Sequence, residues 1–215
     1  MNEETKARDD ITRFARSIFD RGLTCGSSGN ISVRLSDGTI LITPTGSCMG
    51  FLDPAQISLI SADGHHLAGD KPTKEIPLHT AFYDTRASTG AVVHLHPSYS
   101  VALSMLPDLD PENVLPPLTP YPIMRLGKVK LLPFFVPGDP AMGEAVRQVA
   151  ARTSAVLLAN HGPVVAGSDL GPTVYAMEEL EEAAKLAILT RGRDPVHMTD
   201  TQIAQVVTTF NVEYE

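Results

Sequence analysis

Cysteine is scarce in this chain: Cys25 and Cys48 are the only two among 215 residues, with no CxxC spacing. A disulfide framework is therefore excluded, and the usage fits a reducing compartment. A basic excess is missing as well. The net charge of −8 argues against the basic stripe that engages nucleic acid. It leaves room for an anionic substrate, because a phosphate is gripped by local groups and not by total charge. No apolar run approaches the ~20 residues of a membrane span. The polar, acidic opening Met-Asn-Glu-Glu-Thr-Lys has no signal-peptide pattern. A cytoplasmic protein with neither a nucleic-acid nor a membrane partner is expected. Repeats, low-complexity tracts and long linkers are also lacking.

The composition present is that of a globular protein, with 43 % apolar and 20 % charged residues. A chain of this length buries a sizeable core without a disulfide or metal staple. Residues 1–215 are expected to form a single domain, and a bound metal would be catalytic rather than structural.

Helical spacing of Ile11, Phe14, Ala15, Ile18 and Phe19 predicts an opening helix, with Gly22 as its stop. A small-residue loop follows over 23–30. Short β-like runs lie at 31–35, 40–43 and 57–60, and Asp37-Gly38 is a hairpin signal between the first two. A helix is expected over 76–85, starting near Thr73. A buried strand is expected over 91–95 and a helix over 98–105. The segment 106–122 carries six prolines and reads as extended or looped. A strand over 130–136, a helix over 141–152 and a buried strand over 155–159 come next, with 164–166 as the return partner. The clearest helix spans 172–191. Thr199 and Gln202 form a capping-box pattern for a last helix through Phe210. This order implies an α/β fold of the three-layer α+β type, with a central, mostly antiparallel sheet flanked by helices.

Two of the predicted buried strands end in histidine. In His94-Leu95-His96 the two imidazoles share one face of a strand, because side chains alternate. Pro97 then ends the strand and puts the pair at a sheet rim. Two solvated histidines at a strand end are the alternative reading. His161 follows the second strand in Asn160-His161-Gly162-Pro163, as a third ligand or else as a lone loop histidine. Three neutral imidazoles are a common catalytic zinc set that leaves a position open for substrate or water. Glu75 is the fourth candidate, or else an acid in the first turn of a helix, where it favours the dipole. His79, one turn later, is read as a packed helix histidine, with a supporting contact to Glu75 as the alternative. Ser27-Ser28-Gly29-Asn30 and Thr45-Gly46 could each hold an anion through hydroxyls, an amide and approachable backbone, or could be ordinary turns.

The stretches Gly26-Ser27-Ser28-Gly29-Asn30-Ile31-Ser32, Ile42-Thr43-Pro44-Thr45-Gly46, Thr73-Lys74-Glu75, His94-Leu95-His96 and Asn160-His161-Gly162 occur in this order along the chain. Over nearly its whole length the sequence resembles the class II aldolase family, which includes L-fuculose-phosphate aldolase and L-ribulose-phosphate 4-epimerase. Within it, residues 70–79, 115–121 and 136–140 look most like the 3-oxo-tetronate 4-phosphate decarboxylases. The resemblance implies a nine-stranded type of sheet and a homotetramer with sites at subunit interfaces. It implies one Zn2+ per subunit on His94, His96 and His161. Glu75 is implied as acid/base and as a zinc ligand when substrate is absent. Gly29, Asn30, Thr45 and Gly46 match phosphate-contacting positions, with Ser28 and Thr73 as further substrate-binding candidates, and Tyr121 matches a proton donor from the neighbouring subunit. Lys74 departs from the aldolases, which carry a small hydroxyl residue there. A cation at that position favours an acidic substrate, or else Lys74 is simply a solvent-exposed lysine.

The expected reaction is decarboxylation of a 3-oxo-tetronate 4-phosphate to dihydroxyacetone phosphate and CO2 through a metal-stabilised enediolate. Retro-aldol cleavage or epimerisation of a ketose phosphate passes through related chemistry and is the alternative within enzymes. A dehydratase has less support. A non-catalytic metal-binding scaffold is the alternative outside enzymes.

Overall fold

The computed structural model describes residues 2–214. Asn2 caps the first helix, α1 (Glu3–Asp20), by accepting from the Thr5 N–H at 2.8 Å. The hairpin signal at Asp37-Gly38 joins β1 (Asn30–Arg34) to β2 (Ile40–Ile42), which pair antiparallel. The chain continues through β3 (Ser58–Ile60), β4 (His66–Ala68), α2 (Ile76–Thr85), β5 (Ala91–His94) and α3 (Ser98–Ser104). It then runs through α4 (Pro120–Leu126), β6 (Lys130–Leu132), α5 (Pro140–Ala150), β7 (Ala155–Leu158), β8 (Gly162–Gly167), α6 (Leu170–Thr190) and α7 (Asp200–Phe210).

The described strands form one sheet in the order β4-β3-β2-β1-β5-β8-β7-β6. Six of its seven pairings are antiparallel and only β6–β7 is parallel. The expected three-layer, mostly antiparallel arrangement is the one observed. Alternation along the central strands splits the core in two. Ile31, Leu41, Val93, Leu95 and Val165 face α1, α3 and α6, where they meet Ile11, Ile18, Leu103, Met177 and Leu180. Ile40, Ile42, Val92, Val156 and Val164 face α2 and α5, where they meet Leu78, Phe82, Met142 and Val146. Each such fully buried side chain contributes about 1.5–3 kcal/mol.

Several expectations need correction. The sheet has eight described strands, not nine. Immediately after β2, Pro44 makes only an isolated bridge to Pro72, and two prolines lack the N–H groups that would extend a ladder there. The strand expected over 130–136 stops at Leu132 because Pro133 interrupts it. The proline-rich segment ends in a helix, α4, with Pro120 and Pro122 in its first turn. There the missing N–H groups have no intrahelical acceptor to lose. The helix expected near Thr73 begins at Ile76, and Glu75 is its N-terminal flanking residue. The exposed edge strand β4 was not anticipated; its three exposed residues carry no buried periodicity. The Thr199/Gln202 capping box is present at α7.

The sheet rim at His96 is tied down by α6. Glu181 lies among the acids of that helix, yet it is only 9 % exposed. Its carboxylate accepts from the backbone N–H groups of Tyr99 and Ser100 at 2.9 and 2.8 Å and from the Ser100 hydroxyl at 2.6 Å. It thereby caps α3, which starts two residues after His96. Glu181→Ala leaves two buried donors of Ser100 and the half-buried Tyr99 N–H without a partner, and should lower the unfolding free energy by about 2–4 kcal/mol. Urea unfolding, with the midpoint falling at constant slope, is the measurement.

Candidate metal centre and active-site cleft

β1 and β5 pair with Asn30 opposite His94 and Ser32 opposite Val92. By parity Asn30, Ser32 and His94 lie on the sheet face that meets α2. His96 continues from β5 beyond Leu95 on that same alternation. His161 arrives from the other side, on the turn between β7 and β8, where Asn160 takes a left-handed conformation (φ 54°). Any side chain at Gly162 would collide with the Leu95 carbonyl oxygen and crowd the His96 ring at 3.1 Å. This glycine lets the turn close against the strand end. At Gly29 (φ +83°) a Cβ would stand 2.8 Å from the His94 carbonyl oxygen, so the β1 loop also needs glycine to reach the rim.

The three imidazoles converge. Nε2 of His94 lies 3.0 Å from Nε2 of His96 and 3.3 Å from Nε2 of His161, and the donor atoms of all three lie within 4.8 Å of one another. The His94 Nδ1–H donates to the Pro163 carbonyl oxygen at 2.8 Å, which fixes the tautomer and leaves the Nε2 lone pair free. Burial holds the His94 ring neutral far below the usual histidine range, and the neighbouring His96 and His161 push the same way. His96 and His161 are lowered too, by burial first. Neutral imidazoles are the form that binds metal. Lone pairs facing one another inside a protein repel unless a cation sits between them. A tetrahedral site with metal–nitrogen bonds of about 2.05 Å has nitrogens about 3.3 Å apart, close to the spacings seen here. The residues fit a divalent cation.

Glu75 completes the constellation. It is buried, with Oε2 at 3.5 Å from His94 Nε2 and Oε1 at 3.6 Å from His161 Nε2. It makes no capping hydrogen bond to its own helix, so the first-turn reading of this acid is replaced. Oε2 accepts from Asn30 Nδ2 at 2.7 Å. Oε1 is buried without a hydrogen-bond partner, as is His161 Nδ1. An orphaned carboxylate oxygen beside three imidazoles is costly for stability unless a metal or a substrate proton uses it.

Next to this cluster lies a cleft of about 250 Å³, lined by Ser28, Gly29, Asn30, Thr45, Gly46, Thr73, Lys74, Glu75, His96 and His161. Every residue expected on the substrate side is therefore brought together. Their hydrogen bonds are unequal. The Ser28 hydroxyl donates to the Cys25 carbonyl at 2.7 Å and so shapes its own loop. Both sides of the Asn30 amide are engaged, Nδ2 with Glu75 and Thr73 Oγ1 and Oδ1 with His79. Lys74 is exposed and forms no ion pair among the described residues. Tyr121 is 58 % exposed on α4 and does not line this cleft. Ser27, from the loop expected to hold an anion, lines it as well, together with Pro44 and Pro137, which the sequence does not single out as site residues. Pro137 comes with a loop in which a Cβ at Gly138 would stand 3.1 Å from Lys74 Cβ, a long-range approach with no local pattern. His79 is more than a packed helix histidine: it bonds the Asn30 amide, which in turn bonds Glu75.

Burial of the neutral His79 ring lowers its pKa from 6.5 to about 3. Above pH 6.5 the ring is neutral folded or unfolded and adds no pH dependence. Below 6.5 the unfolded chain binds a proton that the native state refuses, down to about pH 3. Stability of the metal-free protein should fall across that window by up to about 1.4 kcal/mol per pH unit for this one group. Denaturant unfolding at stepped pH measures it, and a flat profile from pH 6.5 to 4.5 would contradict the assignment.

Comparison with known proteins gives a consistent answer. The profile of the Class II Aldolase and Adducin N-terminal domain matches residues 9–188. The chain is 48 % identical over 203 residues to the 3-oxo-tetronate 4-phosphate decarboxylase of Escherichia coli K12, covering 94 % of this chain and 96 % of that protein. It is 35 % identical over 181 residues to the L-fuculose phosphate aldolase of Methanococcus maripaludis strain S2, covering 82 % and 95 %. The crystal structure of Escherichia coli YgbL, described as a candidate aldolase/epimerase/decarboxylase, superposes with a TM-score of 0.94 at 46 % identity, over 95 % of this chain and 99 % of that one. The chain belongs to the class II aldolase family.

Proposed function

We propose that the protein is a carboxy-lyase that converts a 3-oxo-tetronate 4-phosphate to dihydroxyacetone phosphate and CO2, with one zinc per subunit on His94, His96 and His161. The observation that carries this reading is the buried, half-satisfied Glu75 carboxylate beside three convergent imidazoles, on a cleft that also presents exposed Lys74. Relatives bearing that activity at 44–48 % identity support it. A bound divalent ion would supply Lewis acidity at the substrate's ketone oxygen.

The chain's own residues do the rest. The backbone and hydroxyls around Gly29, Thr45, Gly46 and Thr73 receive the phosphate, and Lys74 holds an anionic end of the substrate by charge. Departure of CO2 sends the bonding electrons toward the ketone, giving an enediolate. Glu75 then delivers a proton to the carbon that lost CO2, and solvent restores that proton. No base is needed to begin. The exposure of Tyr121, away from the cleft of its own chain, supports its reaching a neighbour's site in a homotetramer as a second donor. We read the chain as one cytoplasmic domain over residues 1–215.

Aldol cleavage of a ketose phosphate is the second reading, favoured by the aldolase relatives. A metal-binding scaffold could use the buried Glu75 oxygen as a ligand, but it has no use for a cleft that also presents exposed Lys74 beside it.

Glu75→Gln should retain bound metal and lose turnover by about a hundredfold to ten-thousandfold. The assay couples dihydroxyacetone phosphate formation to NADH oxidation and follows CO2 in parallel. Full activity in the variant rejects the acid role, and aldehyde in place of CO2 selects the aldolase reading. Lys74→Met should lower kcat/KM for the acid substrate by about ten- to a hundredfold, through loss of a charged hydrogen bond. An unchanged value removes Lys74 from substrate binding.

A further inference from the structure

Behind the cleft, on the α2 side of the sheet, four polar side chains are buried in a line that the reaction above does not use. They are Asn30, His79, Ser32 and Tyr83, each 5 % exposed or less. Asn30 reaches Glu75 Oε2 through Nδ2 and His79 Nε2 through Oδ1. Ser32 Oγ lies 2.7 Å from His79 Nδ1 and 2.8 Å from the Tyr83 hydroxyl.

The direction of every bond in this line follows from its end. An ionised carboxylate can only accept, so Asn30 turns its NH2 to Glu75 and its carbonyl to His79. His79 Nε2 must then carry the proton. The ring is neutral, so Nδ1 accepts, and Ser32 is its donor. The Ser32 oxygen in turn accepts from the Tyr83 O–H. Reversing any one bond forces the others to reverse and ends with an amide oxygen facing a carboxylate oxygen.

We infer that His79, oriented by Ser32 and Tyr83 and acting through the Asn30 amide, is a positioning residue that holds Glu75 Oε2 as a permanent acceptor and leaves Oε1 as the atom that carries the catalytic proton. This rests on the acid role of Glu75 proposed above. Oε2 already receives an N–H, so a proton placed there would meet the Asn30 NH2 head-on. Oε1 has no hydrogen-bond partner. In the protonation step the Oε1–H bond breaks, its hydrogen joins the carbon that lost CO2, and the O–H electron pair returns to the carboxylate. A histidine suits this place because, when neutral, it accepts at one nitrogen and donates at the other, so it passes on a direction that a purely apolar residue would lose.

The test is a double-mutant cycle on the metal-loaded enzyme, with His79→Phe, His79→Gln and Glu75→Gln, read as kcat and KM separately and accompanied by metal content and melting temperature. His79→Phe should lower kcat by about ten- to a hundredfold, the size of effect known for groups that orient a ligand or acid, with KM and metal content near wild type. His79→Gln retains one donor and one acceptor and should recover most of that loss. In the Glu75→Gln background His79→Phe should cost no further activity, because the group it orients has gone. An equal loss in both backgrounds, or wild-type kcat in His79→Phe, overturns the inference. Ser32→Ala, a smaller change, serves the same cycle if His79→Phe does not fold. Nitrogen-15 NMR of the metal-free protein reads the line directly. His79 should be the Nε2–H tautomer, and an Nδ1–H tautomer overturns the inference even with Glu75 essential. Full activity of Glu75→Gln alone would overturn the acid role and, with it, the catalytic half of this inference, while the tautomer still reports the bonding.

Discussion

Three imidazole lone pairs and a carboxylate are gathered in one partly desolvated spot, and the local architecture answers to that demand. Such groups tolerate each other only around a positive charge. Burial first, and for His94 and His96 the neighbouring imidazoles after it, keep the rings neutral, as the lowered values at His94, His96 and His161 indicate. The cost of the arrangement is visible in the two buried atoms without partners, Glu75 Oε1 and His161 Nδ1. Both belong to the constellation, and elsewhere buried polar groups such as Glu181 are well satisfied. Unmet hydrogen-bonding capacity at a site and full satisfaction around it is the distribution expected where function is held against stability.

The scaffold meets the demand by convergence at one sheet rim. Pairing of β1 with β5 sets Asn30 beside His94, and the β7–β8 turn brings His161 across from the far side of β5. Glu75 enters from the start of α2. Four chain segments thus meet with little freedom, because Gly29 and Gly162 sit so close to the strand end that no side chain fits. The clamp of Glu181 on the start of α3 holds the segment just beyond His96. Orientation of ligands and acid is therefore a property of packed backbone rather than of flexible loops.

Much of this was legible beforehand for identifiable reasons. Period-two alternation in Ala91–His96 placed two histidines on one face without any tertiary information. Helices α1 and α7 are legible from apolar spacing and a capping box, whereas α6 runs from Leu170 to Thr190 and starts two residues before the expected span. The three histidines, Glu75 and most of the residues that line the cleft are legible in the sequence because short motifs with a stated chemistry occur in order. Less legible were elements whose residues carry weak local signals. β4 is three exposed residues, and α4 hides in prolines that only the first turn of a helix tolerates. His79 was the larger misjudgement. On the helix it looks like one more core-facing residue, and its partners Asn30 and Ser32 lie 49 and 47 positions away.

By itself the sequence determined the chemistry in stock: three histidines at strand ends, an acid, a cation and two small-residue loops, with strand and helix periods that implied a layered α/β fold. It did so because side-chain chemistry and local periodicity are written along the chain. Only the tertiary structure decided which nitrogens face one another, that Glu75 turns away from its own helix toward them, that Asn30 has no free hydrogen-bonding group left on its amide, and that His79 belongs to the site. Those outcomes depend on register and on pairings between residues dozens of positions apart, and a hydrogen bond's direction is set by the partner at its far end.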